Sequence, residues 1–130
     1  MRRIVLLLIL FCSVGLYAID YLAEAEYWQK KAQSYRNEAE YYEKKAKSYE
    51  REAAYYLKKA EGYEREAAYY SKRGDTSSAN TQARYARDAV DKAKTQQRYA
   101  RQAWDNYNTQ LRYAKEAAEK AASYLRQATK

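Results

Sequence analysis

From Ala25 the apolar and polar positions recur every fourteen residues: AEYWQKKAQSYRNE, AEYYEKKAKSYERE, AAYYLKKAEGYERE, then AAYYSKR up to Gly74. Fourteen residues are two heptads, so the pattern predicts a helix with a coiled-coil seam. With alanine at position a, the first column is Ala25, Ala32, Ala39, Ala46, Ala53, Ala60 and Ala67. Position d is then Trp28, Tyr35, Tyr42, Tyr49, Tyr56, Tyr63 and Tyr70, with Tyr21 one heptad earlier. Every a is small and every d is a large ring. A strict period of 3.5 residues predicts left-handed supercoiling.

A second repeat begins at Thr81: TQARYARDAVDKAK, TQQRYARQAWDNYN, TQLRYAKEAAEKAA. Its a positions are Ala86, Ala93, Ala100, Tyr107, Ala114, Ala121 and Ala128. Its d positions alternate Gln82, Ala89, Gln96, Ala103, Gln110 and Ala117 before Tyr124. Ala83, Val90, Trp104, Leu111, Ala118 and Leu125 flank it at e, and Tyr85, Tyr99 and Tyr113 at g. This stripe is wider than the first, which suits a helix with more than one neighbour.

Between the two runs, Gly74 follows Lys72-Arg73 as a helix C-terminal signal, and Asp75, Thr76 or Ser77 can cap the next helix. The fold expected is all-α: a long antiparallel α-helical hairpin whose coiled-coil seam is built of Ala and Tyr. The turn spans residues 74–78, between a first helix over 19–73 and a second over 79–130. A continuous rod is the rival topology, and the change of motif at the glycine argues against it. At 1.5 Å per residue each helix would measure roughly 80 Å. Antiparallel packing sets a against d, so the tyrosine column would face Ala86, Ala93, Ala100 and Ala114. Gln82, Gln96 and Gln110 are then the candidate partners for tyrosine hydroxyls. Two helices alone have a narrow core, so self-association is expected, for example as a dimeric four-helix bundle.

The first eighteen residues read differently. Met1-Arg2-Arg3 is a basic start, Ile4 to Val14 an apolar run, and Leu16-Tyr17-Ala18 a small-residue cleavage region. This is the pattern of a secretory signal peptide, cut after Ala18. The alternative is an uncleaved membrane anchor, but the uncharged run from Ile4 to Ile19 is shorter than the ~20 residues a span requires. The expected compartment is the periplasm or the cell exterior, with no stable membrane span after cleavage.

Composition narrows the chemistry. The 130-residue chain has no His and no Pro, and its one Cys, Cys12, lies in the leader. Beyond residue 18 there is no Cys, His, Met or Phe. Thiolate or imidazole zinc sites, Cys nucleophiles, His-based catalysis and disulfides are therefore excluded from the exported part. No catalytic residue, cofactor or metal site is expected, and no enzyme.

Four rings fall outside the seam. Tyr27, Tyr41, Tyr55 and Tyr69 sit at c, alternating with Ser34, Ser48 and Gly62. They form a ladder with rungs roughly 21 Å apart and are the candidate partner face. That face could receive another hairpin, an unfolded chain or a glycan; copied surface sequence is the plain alternative.

The full chain carries a formal charge of +8. Residues 19–73 are nearly balanced, with 12 basic and 11 acidic groups, whereas residues 74–130 hold 11 and 6. Glu26–Lys30, Glu40–Lys44, Glu43–Lys47 and Glu61–Arg65 are expected ion pairs at i,i+4 in the first helix. Arg84–Asp88, Arg87–Asp91, Arg101–Asp105 and Arg112–Glu116 are expected in the second. The basic surplus suits another envelope protein or an anionic surface; export disfavours nucleic acid.

An exported, basic helical hairpin resembles the prongs of periplasmic holdase chaperones in architecture, without a shared motif. That resemblance implies client binding as the alternative to a structural, scaffolding or self-assembly role. Lys130, at the end of an Ala-rich helix, is similar to the terminal lysine of the murein lipoprotein, which joins peptidoglycan; the lipid-bearing Cys of that protein has no counterpart here.

Overall fold

A computed structural model describes the backbone from Arg2 and the side chains from Ala18. The proposed leader up to Tyr17 therefore lies outside the residues whose side chains are described. Two helices, α1 (Arg2–Lys72) and α2 (Thr76–Ala128), pack against each other, and there is no strand among the described residues. Alanine has the highest helix propensity, and no proline interrupts either run. Among the described residues, no helix is long and apolar enough to cross a membrane.

The reversal occupies three residues. Asp75 N–H donates to Tyr70 O and Gly74 N–H to Ser71 O, each at 3.0 Å, which closes α1 in a Schellman motif. Gly74 supplies the left-handed residue that motif needs, with φ at +79°. Asp75 also caps α2: its Oδ1 accepts from Ser78 N–H at 2.9 Å and its Oδ2 from the Ser78 hydroxyl at 2.6 Å. These donors hold the Asp75 carboxyl below its ordinary pKa. Because one residue serves both helix ends, Thr76, Ser77 and Ser78 are helical rather than part of a turn reaching residue 78.

The chain divides into two compact units, one of residues 1–39 with 108–130 and the other of residues 40–107. Among the described residues of both, the buried core is alanine alone. From α1 it takes Ala25, Ala32, Ala39, Ala46, Ala53 and Ala60, all at position a. From α2 it takes positions a and d: Ala86, Ala89, Ala93, Ala100, Ala103, Ala114, Ala117 and Ala121. Small side chains let backbones approach closely.

Close approach decides where the large rings go. Trp28, Tyr35, Tyr42, Tyr49, Tyr56, Tyr63 and Tyr70 are half-buried, as is Ala67. Three of these rings meet tyrosines at position g of α2: Tyr35 lies against Tyr113, Tyr49 against Tyr99 and Tyr63 against Tyr85. The expected hydroxyl-to-glutamine bonds are absent. Oε1 of Gln82, Gln96 and Gln110 is buried without a hydrogen-bond partner.

Candidate binding faces

Within residues 40–107, Tyr49 meets Tyr99 and Tyr63 meets Tyr85, both at 5.5 Å between ring centroids. A step of fourteen residues forward in α1 is answered by fourteen back in α2. Two grooves follow the same rule. One, of about 220 Å³, lies among Tyr42, Lys45, Tyr49, Tyr99, Gln102 and Asn106 over Ala103. The other, of about 260 Å³, lies among Tyr56, Lys59, Tyr63, Tyr85, Asp88 and Lys92 over Ala89. Each residue of one corresponds to a residue of the other one repeat away. The Lys92 ammonium lies 5.7 Å from the Tyr56 ring centre, where Asn106 occupies the equivalent place.

The unit of residues 1–39 and 108–130 carries the same grouping. Tyr35 meets Tyr113 at 5.5 Å, and Lys120 lies 4.1 Å from the centre of the Trp28 ring. Tyr21 meets Tyr124 at 6.3 Å.

The c-position ladder borders these groups. Tyr27, Tyr41, Tyr55 and Tyr69 are 51–58% exposed, so most of each ring's edge is available to a partner. Each packs edge-on against the next residue's ring at 5.3–5.4 Å: Trp28, Tyr42, Tyr56 and Tyr70. Lys45, Lys59 and Arg73 lie over Tyr41, Tyr55 and Tyr69. Arg73 also donates to the Tyr69 hydroxyl, and a hydrogen bond with Tyr41 holds the Lys45 pKa above its usual value. Such cation–π contacts favour a charge resting on the ring face.

Ion pairing differs between the helices. Lys30–Glu26, Lys44–Glu40 and Lys47–Glu43 form in α1 at 2.7, 2.6 and 2.5 Å. In α2 the guanidiniums of Arg84, Arg98 and Arg112 lie over Tyr85, Tyr99 and Tyr113, so Arg84 and Arg112 do not pair with Asp88 and Glu116. An adjacent ring one residue on competes with a carboxylate one turn away. Asp91 pairs with Lys94, at 3.7 Å, instead of Arg87.

The opposite flank of residues 40–107 is different. There Trp104 Nε1 donates to Glu50 Oε1 across the two helices at 2.7 Å. Sequence reasoning placed Trp104 in the wide stripe of α2 but had no signal for this bond, which requires the register between the helices. Among the described residues no group of His, Cys, Asp and Glu could hold a metal ion. No family model, curated protein or solved structure matches the chain.

Proposed function

We propose that the chain is an exported, non-enzymatic coiled-coil protein with a structural, scaffolding or self-assembly role in the cell envelope or outside the cell. The observation that carries this reading is the repetition of one inter-helix contact group at fourteen-residue intervals. A surface that presents the same group at each step offers a long, regular partner many equivalent weak contacts, which add through effective concentration. The export part rests on Met1-Arg2-Arg3, the apolar Ile4–Val14 run and Ala18. Sedimentation over a wide concentration range tests the assembly part. The mass should rise from one chain to a defined oligomer or filament; a single-chain mass throughout would overturn it.

A second reading, a holdase-type chaperone or adaptor, is favoured by the ring-walled grooves and their cations. Half-exposed aromatics beside lysines suit extended apolar or acidic segments of a client. The combined substitution of Tyr27, Tyr41, Tyr55 and Tyr69 by Ser separates the two. Exposed positions of this kind cost little when changed, usually within about 0.5 kcal/mol each, so helicity should persist. Under the assembly reading the variant does not suppress aggregation of an unfolded test protein, and neither does the unaltered chain. Under the holdase reading the unaltered chain suppresses it and the variant does not.

A further inference from the structure

On the flank marked by the Glu50–Trp104 bond, positions e and b of both helices face outward. Their charges are divided by helix. Within residues 40–107, α1 presents Glu40, Glu43, Glu50, Glu61 and Glu64 there, against one cation, Lys47, which Glu43 already holds at 2.5 Å. The α2 half presents Arg87, Lys94 and Arg101 at these positions, with one carboxylate beside them, Asp91 at f, 3.7 Å from Lys94. A trough of about 690 Å³ runs between the halves, with Glu64 on one wall and Arg87, Lys94 and its partner Asp91 on the other. Among the described residues, the side chains of Glu61, Glu64 and Arg87 make no ion pair or hydrogen bond. Leu57, 40% exposed, and half-buried Val90 and Trp104 lie among these charges. The tyrosine flank has no such division, because Lys45 and Lys59 on α1 and Lys92 on α2 stand among rings on both helices.

We propose that this divided face is a self-association surface, and that its occupant is a second copy of the chain related by a two-fold axis parallel to the helices. The inference rests on the self-assembly reading and names its surface. That operator lays the acidic helix of each copy over the basic helix of the other at the same level. Glu61 and Glu64 then meet Lys94 and Arg87 of the second copy, and Leu57, Val90 and Trp104 leave solvent. A two-fold axis perpendicular to the helices would instead lay α1 on α1, glutamates against glutamates. Isologous interfaces need a self-complementary patch, and like charges set against each other suppress the wrong arrangement. Within one copy Leu57 stays exposed and Val90 and Trp104 are only half-buried, so a second copy adds to the burial of all three.

The test uses the full chain and three variants: Glu61→Lys with Glu64→Lys, Arg87→Glu with Lys94→Glu, and all four changes together. All four positions are exposed, and circular dichroism checks that the helices persist. The unaltered chain should associate, and each paired reversal should weaken association by at least about 100-fold. Mixing the two reversed chains should restore a heterodimer, and the fourfold exchange should associate by itself. Association that survives Glu61→Lys with Glu64→Lys, or a helical fourfold exchange that stays monomeric, would overturn the proposed surface while leaving self-assembly standing. An unaltered chain that is monomeric at every concentration would overturn the self-assembly reading itself.

Discussion

Gly62 and Gly74 are the same residue in two different backbones. Gly74 holds φ at +79°, and a Cβ there would meet nothing within 4 Å, so its cost is conformational and not steric. Gly74→Ala should lose roughly 1–2 kcal/mol, the penalty of the left-handed region for an L-residue. A Cβ on Gly62 would also meet nothing within 4 Å, but Gly62 lies within α1 in ordinary helical geometry. Gly62→Ala should therefore gain about 0.8–1.0 kcal/mol, the propensity difference between the two residues. Thermal denaturation of both variants reads opposite signs from one substitution. Two losses would mean that the c face at residue 62 is covered in solution.

At the scale of the helix, the alanine column is the feature most open to a direct test. Ala46 and Ala93 are fully buried. In an ordinary heptad seam a leucine at a would strengthen packing. Here Ala46→Leu should destabilise by roughly 1–3 kcal/mol, because added methylenes force helices apart that alanine has brought together; a raised melting temperature would show that the seam has room. The alanine column was legible in the sequence because a period of 3.5 survives any choice of partner. The placement of the rings was not. Tyr35, Tyr49 and Tyr63 share position d with Tyr42 and Tyr56, yet meet tyrosines of α2, while Tyr56 meets Lys92. Only the register between helices separates those environments, and a slip of one heptad leaves the pattern of either helix unchanged. The buried Gln82, Gln96 and Gln110 oxygens were misjudged for a related reason. Donor and acceptor types suited each other, but meeting also requires the register between helices, and none of the three oxygens has a hydrogen-bond partner.

For the molecule as a whole, the short reversal limits the register that neither helix specifies alone. Asp75 ends one helix and begins the other, so little slack remains for either to slide. The paired fourteen-residue step has a consequence for how such a chain can change length. It makes the hairpin a ruler graduated in repeats, and a gene that gains or loses one graduation must do so on both arms. Removing residues 46–59 together with 89–102 takes out Tyr49, Tyr56, Lys92 and Tyr99 as a set and brings Tyr42 and Lys45 next to the group of Tyr63 and Tyr85. That shortened chain should fold cooperatively, with the helical signal per residue of the parent. Removing residues 46–59 alone leaves fourteen residues of α2 without a facing arm, and should lower the melting temperature further and broaden the transition. If the single deletion melts as sharply and as high as the paired one, the two arms are not kept in step by contact, and slippage within one arm alone could lengthen the protein.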